Sequence, residues 1–115
     1  MLNKEEVAKK LYAYFGFAQN KRSIYVGMKL DEMLSLHKIS LLVILPECSS
    51  KNEEKLLRLN DDKDFHHIRY EGSFDVKLCL GYEKLKAVGI KDASLAKAIY
   101  ETMCDEMKEK EDSHE

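Results

Sequence analysis

The first twenty residues carry apolar side chains at the three- and four-residue spacing of an amphipathic helix. Asn3 is placed to cap this helix, with Glu6 three residues later as its partner in a capping box. The polar residues 20–22 then interrupt the pattern, and residues 23–26 form a short β-branched and aromatic run that predicts a strand. The apolar face of the first helix is expected to consist of Val7, Leu11, Tyr14, Phe15 and Ala18.

The rest of the chain alternates between the two periodicities. A second helical stretch begins at Met28, and its apolar face runs to His37. Residues 39–45 are apolar almost throughout and are closed by Pro46, which is typical of a strand buried on both faces of a sheet. The same patterns predict helices after Ser49 or Ser50, over residues 74–80 and after Asp92 or Ser94, and strands over residues 65–70 and 85–90.

The predicted element order is αβαβαβαβα. Strands that alternate with helices imply a sheet covered on both faces. We therefore expect an α/β fold, a three-layer α/β/α sandwich with a four-stranded mixed sheet. Residues 1–104 would form this single domain, and residues 105–115, with six acids and two lysines, would form the acidic end of the last helix or a tail.

Composition narrows the classes of partner. A chain of 115 residues, 35% of them charged, has the length and polarity of one soluble domain. Its net charge of −2 argues against wholesale coating of nucleic acid or of an anionic membrane. The first ten residues are polar, and no apolar run approaches the length of a membrane helix. Cys48, Cys79 and Cys104 are odd in number and widely spaced, which fits a reducing cytosol. We therefore expect a cytoplasmic location, with neither a membrane nor DNA as partner.

The sequence offers little support for catalysis. It contains no nucleotide-binding P-loop, no dinucleotide-binding glycine motif and no hydrolase nucleophile elbow. His66 and His67 are adjacent on a predicted strand and so point to opposite faces, which prevents them from sharing one metal ion. Cys104 has two acids beside it and should be a poor nucleophile. We therefore expect a non-enzymatic protein without a catalytic residue, metal site or cofactor.

A basic stretch near the front of the chain is the strongest functional signal. Lys21, Arg22 and Lys29 flank the junction of the first strand and second helix, where Gly27 stands. A glycine at such a junction lets a phosphate approach, and the free amides of a first helical turn attract anions. The alternative is that Gly27 only shapes a tight turn and the bases are ordinary surface residues.

The same junction resembles the L-seven-Ae family of ribosomal and kink-turn RNA-binding proteins, especially its small bacterial branch. The resemblance lies in YFGFA at residues 14–18, in Gly27 after eight intervening residues, and in the buried strand and polar turn over residues 41–49. Residues 90–97 are similar to the family's last strand and the start of its last helix. The resemblance covers roughly residues 3–103 and implies the sandwich fold and binding to structured RNA or the ribosome.

This chain departs from the family at the residues that read bases. Family members that bind kink-turn RNA carry Asn-Glu at the second and third positions after the glycine, where this chain has Lys29 and Leu30. A leucine cannot hydrogen-bond to a base, so the resemblance implies phosphate contacts that do not depend on sequence. The family's second contact loop falls at residues 80–84. The expected RNA-binding residues are Lys21, Arg22, Gly27, Lys29, Gly81, Tyr82 and Lys84.

An alternative function remains on the same fold. The chain would then be a protein–protein interaction module without an RNA role, and it would use its acidic C-terminal helix or an exposed sheet edge. The net charge and the missing Asn-Glu pair favour this alternative, whereas the basic front and the family resemblance favour RNA.

Overall fold

A computed structural model of the protein describes residues 3–62 and 64–112, with side chains as far as Lys108. Within these ranges five helices and four strands follow one another in the predicted order. They are α1 (Lys4–Asn20), β1 (Ile24–Tyr25), α2 (Gly27–Ser35), β2 (Leu41–Ile44), α3 (Ser50–Arg58), β3 (His66–Arg69), α4 (Val76–Leu80), β4 (Ala87–Ile90) and α5 (Ala93–Asp112).

Side-chain caps set the start of four of these helices. Asn3, Ser49 and Asp92 each accept a hydrogen bond from the backbone N–H three residues later, at 2.8, 3.1 and 2.9 Å. These bonds satisfy amides that have no partner inside a helix, and they confirm the predicted caps. Helix α4 begins after Asp75, which caps it in the same way at 3.1 Å. Residue 74, where the apolar pattern begins, therefore lies outside that helix.

The four strands form one mixed sheet in the order β1-β4-β2-β3. Strands β2 and β3 are parallel, while β4 runs antiparallel to both of its neighbours. Every residue of the two central strands, β2 and β4, is buried. The apolar run before Pro46 is therefore a central strand, as its composition predicts.

Helices cover both faces of the sheet, which confirms the three-layer α/β/α sandwich. The α1, α4 and α5 layer packs on one face, and the α2 and α3 layer packs on the other. Successive residues of β2 supply the two cores alternately, because side chains of a strand point to opposite faces. Leu41 and Val43 contact the first layer, and Leu42 and Ile44 contact the second.

The last helix is tied to the body of the protein beyond the predicted start of the tail. The carboxylate of Glu106 accepts hydrogen bonds from the Tyr70 hydroxyl at 2.6 Å and from the amide and hydroxyl of Ser73 at 2.9 and 2.8 Å. These bonds join α5 to the segment between β3 and α4. Residues 105–112 continue α5, and residues 113–115 of the predicted tail lie outside the described residues.

Candidate nucleic-acid interface

The predicted RNA-binding residues lie at two different ends of the sheet. Lys21 and Arg22 precede β1, next to the place where β4 finishes, because the Ser23 carbonyl accepts from the Lys91 amide at 2.9 Å. Gly27 follows β1 and lies at the opposite end, where β4 begins and β2 and β3 finish. A four-residue strand spans roughly 13 Å. We call the two places the Lys21 end and the Gly27 end.

The backbone at the Gly27 end leaves the start of α2 without a side-chain cap. Gly27 has a φ angle of +61°, a left-handed conformation that glycine adopts at little cost. The residue before it, Val26, has no polar side-chain atom and makes no capping bond. No acid lies in the first turn either. The first amides of α2 therefore remain available to an anion.

A cavity of about 580 Å³ opens beside this junction. It lies between the start of α2, the segment 47–56 and the segment 84–87. Gly27 and Lys84, which belong to two separately predicted segments, both line it. The structure adds Lys55 and Lys86 to the same cavity. Its apolar floor is formed by Leu30, Leu56, Leu85 and Ala87.

The charge around the cavity is mainly positive. In the described part of the chain, none of its three lysines has a carboxylate within 4 Å. Two carboxylates also line the cavity, those of Asp31 and Glu47. Glu47 is partly neutralised because it lies 3.3 Å from the ammonium of Lys77, and it also accepts from the Leu85 amide at 3.4 Å. Three lysines therefore face one remaining carboxylate, that of Asp31, and the net charge offered to an incoming anion is positive.

An ion pair beside the cavity-lining residue Cys48 holds the segment that follows β2. Arg69 donates from Nε to a Glu53 carboxylate oxygen at 2.8 Å and from Nη2 to the Cys48 carbonyl at 3.0 Å. Both partners belong to the segment that carries Lys55. Burial raises the pKa of the Cys48 thiol, so that this group is a weak nucleophile at neutral pH. The thiol packs in the core on the α2 side of the sheet, where its Sγ donates to the Ser49 carbonyl at 3.5 Å.

One of the predicted residues, Lys29, stands at the rim of this end. Lys29 lies in the first turn of α2, where its ammonium is 3.2 Å from the Glu32 carboxylate, and it does not line the cavity. This exposed pair offsets the unfavourable position of a lysine at a helix start. Met28, beside it, lines the cavity and is 88% exposed, so it presents an apolar surface there.

The second predicted contact loop also lies at the Gly27 end. Gly81 ends α4 in a left-handed conformation with φ +84°, and its amide donates to the Leu78 carbonyl at 3.1 Å. The Tyr82 amide donates to the Lys77 carbonyl at 2.8 Å, which fixes the loop after the helix. The side chain of Tyr82 is exposed, and aromatic rings in such positions stack on unpaired bases. Lys84 follows and enters the cavity.

The Lys21 end differs in its charges. The Lys21 ammonium lies 3.1 Å from the carboxylate of Asp92, the residue that caps α5. Arg22 is exposed, with a φ angle of +55°. The structure therefore does not bring Lys21 and Arg22 together with Gly27, Lys29 or the loop after α4.

The histidine pair lies on β3, with its two rings on opposite faces as predicted. The His66 ring stacks on Tyr100 of α5 at a centroid distance of 4.9 Å, and the His67 ring lies 6.2 Å from that of Phe65. In residues 3–62 and 64–112 no group of three histidine, cysteine or acidic side chains could hold a metal ion. No helix of these ranges is both long enough and apolar enough to cross a membrane.

Comparisons with known proteins rest on structure alone. No protein-family model matches the sequence, and no curated protein matches it. A Bacillus halodurans protein of unknown function superposes with a TM-score of 0.71 at 16% identity, over 84% of this chain and 98% of that one. A Giardia lamblia 15.5 kD RNA binding protein superposes with a TM-score of 0.60 at 13% identity, over 94% of this chain and 92% of that one. At these identities the likeness shows a shared fold.

Proposed function

We propose that this chain is a non-enzymatic RNA-binding protein of L-seven-Ae-like fold that contacts RNA through the Gly27 end of its sheet. One observation carries the proposal: Gly27 and Lys84, which are distant in sequence, line one cavity together with two further unpaired lysines. The fold it shares with the Giardia RNA binding protein supports the same class of ligand. Structured RNA, free or within the ribosome, is the partner that this surface fits.

The expected contacts are to phosphates. Uncapped amides of α2 and three lysines offer charge and hydrogen-bond donors without a fixed pattern for a base edge. Exposed Tyr82 adds a ring on which an unpaired base could stack. Leu30, which stands where the family has its base-reading glutamate, is buried in the core on the α2 side of the sheet. We therefore expect a kink-turn to be preferred over an unrelated hairpin only weakly.

Replacing Lys55, Lys84 and Lys86 together by alanine tests this proposal. Each lost phosphate contact should flatten the slope of log K against log salt by about 0.7–0.9, so the triple variant should lose about 2 to 3 in slope. Fluorescence anisotropy with a kink-turn RNA and with an unrelated hairpin, over a series of salt concentrations, measures this. All three side chains are partly or fully exposed, so the fold should be retained.

A matched control removes the same charge elsewhere. Lys9 and Lys10 of α1 and Lys97 of α5 are exposed and lie outside the cavity. Their triple alanine variant should keep nearly the full salt slope. An equal loss in both variants would mean that RNA is attracted by overall charge, and a strong, salt-resistant kink-turn preference would mean that other residues read the bases.

The alternative of a protein–protein interaction module is favoured by exposed apolar side chains. Met28 and Leu78 are 88% and 73% exposed, and Tyr12 and Phe17 project from α1. Scattered single residues of this kind also occur on proteins without such partners. The absence of measurable RNA binding at low salt, with the wild-type chain, would decide for this alternative.

A further inference from the structure

Strand β3 is an edge of the sheet whose outer backbone groups are unpaired. The His66 amide donates to the Ser40 carbonyl at 3.0 Å, and the Tyr70 amide donates to the Ile44 carbonyl at 2.8 Å. Because backbone groups alternate along a strand, the amides and carbonyls of residues 67 and 69 point away from β2. Within residues 3–62 and 64–112 these four groups have no hydrogen-bond partner.

This edge is short, at four residues, but it lacks the other features that usually prevent strand pairing. Such features are proline, a bulge, or a lysine or other free charge on the strand. Each residue of β3 has a regular partner on β2, so no bulge interrupts it. Its one permanent charge, Arg69, is bonded to Glu53 and to the Cys48 carbonyl. The edge is therefore regular, and the permanent charge on its strand is balanced.

We infer that β3 pairs antiparallel with β3 of a second copy of this chain, around a twofold axis at Ile68. In this register residue 67 of each copy lies opposite residue 69 of the other. Since the outward groups belong to these two residues, four hydrogen bonds would satisfy all the free groups of both edges. The two sheets would join into one of eight strands.

The side chains of this edge are compatible with its own copy. Ile68 meets Ile68 at the axis, at the closely spaced position of an antiparallel pair, where Cα atoms lie about 4.5 Å apart. His67 lies beside Arg69 of the second copy, whose charge Glu53 of that copy already balances. No unbalanced like charges therefore face each other. The side chains of the two β3 strands are therefore compatible with this pairing register.

The expected association is weak. A stable dimer buries about 1,600 Å² in total, and two four-residue edges supply only part of this area. A groove between His66 and the α5 residues Ala96 and Tyr100 lies at one end of the edge and leaves room beside it for the second chain. We therefore expect a dimer that forms as the protein concentration rises. This surface is separate from the Gly27 cavity, so the inference does not depend on RNA binding.

Sedimentation velocity of the full chain over a wide concentration range tests the dimer. His67→Pro removes an amide that the fold itself does not use, so this variant should stay monomeric with an unchanged circular dichroism spectrum. His67→Ala is the matched control, because it keeps the outward amide and should dimerise like the wild type. If the proline variant fails to fold, Ile68→Lys, which places two charges at the axis, should abolish the dimer.

Nuclear magnetic resonance locates the contact. In a mixture of isotope-labelled and unlabelled chains, the Hα atoms of the two Ile68 residues should show an intermolecular Overhauser effect, since they face each other in this register. The amides of residues 67 and 69 should exchange more slowly as the concentration rises. The inference is overturned by a chain that stays monomeric at its solubility limit. It is equally overturned by a dimer that Ile68→Lys leaves intact, or by a monomer whose β3 edge binds only foreign extended peptides.

Discussion

Both ends of the sheet carry basic residues but use them differently. At the Lys21 end, Lys21 is paired with Asp92, which also caps α5. At the Gly27 end, three lysines surround a cavity and have no carboxylate within 4 Å among the described residues. The same residue type therefore contributes to the structure at one end and remains available to a ligand at the other.

This difference shows that the position of a lysine in the fold matters more than its position in the sequence. Lys21, Arg22 and Gly27 are close in sequence, yet they lie on either side of β1, at opposite ends of the sheet. Lys55 and Lys84 are 29 residues apart, yet they line one cavity. The strand order β1-β4-β2-β3 produces both results.

The largest expected effect comes from breaking the sheet that separates the two ends. Ile44 is fully buried in the central strand β2, so Ile44→Asp would place an unpaired carboxylate in an apolar core. We expect a loss of several kcal/mol and a large fall in the thermal midpoint. Leu36→Asp is the control, because Leu36 is 52% exposed and should tolerate the charge. Equal midpoints for the two variants would contradict the central-strand assignment.

A moderate effect is expected at the Gly27 end, where Tyr70 joins β3 to α5. Tyr70→Phe removes the hydroxyl that donates to Glu106 and accepts from the Phe74 amide at 3.1 Å. It should cost about 1–3 kcal/mol, because a charged acceptor and a partly buried amide lose their partner. Urea unfolding measures the change. Tyr12→Phe, at an exposed position on α1, should change the stability by less than about 0.5 kcal/mol.

The same tyrosine gives a pH dependence with a definite sign. Burial, and then the hydrogen bond to Glu106, raise the pKa of Tyr70 above its ordinary value of 10. Because the pKa is raised in the folded state, Tyr70 contributes a stabilisation that is present in full below pH 10. This stabilisation is lost as the pH rises toward the raised pKa. As the pH rises through 10, the unfolding free energy of the wild type should therefore fall more steeply than that of Tyr70→Phe. Parallel curves would mean that Tyr70 ionises like an exposed tyrosine.

Periodicity predicts much of this fold because local physics determines it. The apolar run over residues 39–45 predicts a central strand without any knowledge of its neighbours, and Asn3 and Asp92 cap helices through bonds only three residues long. The site is less predictable, because Lys55 on α3 and Lys86 before β4 reach the same cavity only in the folded protein. No signal within a single segment marks them. Glycine at position 27 does carry a local signal, since its positive φ favours that residue type.

The acidic end of α5 should weaken RNA binding at the Gly27 end, since Glu106 anchors the helix there. Residues 109–115 contain four acids and one lysine, and their removal keeps the Glu106 contacts. We expect tighter RNA binding at low salt, with the difference decreasing as salt screens the charges. Removal from residue 105 onward also deletes Glu106 and should lower stability as well. Unchanged affinity at low salt in the shorter deletion would mean that the acids lie outside the reach of bound RNA.

The smallest effect is expected from removing the ion pair at the Lys21 end. The Leu95 amide, and after it the Lys21 ammonium, lower the pKa of Asp92 below its ordinary value of 3.8. Lys21→Ala should therefore raise the pKa of Asp92 only part of the way back to 3.8, because the capping bond persists. Because the pKa of Asp92 is lowered in the folded state, its stabilisation is present above pH 3.8 and is lost as the pH falls through the lowered pKa. The pH dependence of stability in the variant should therefore differ from that of the wild type only in acid. Carbon-13 titration of the carboxyl group measures this shift. A complete return of the Asp92 pKa to 3.8 would make Lys21 the main partner of Asp92. The RNA affinity of the variant at neutral pH should change little.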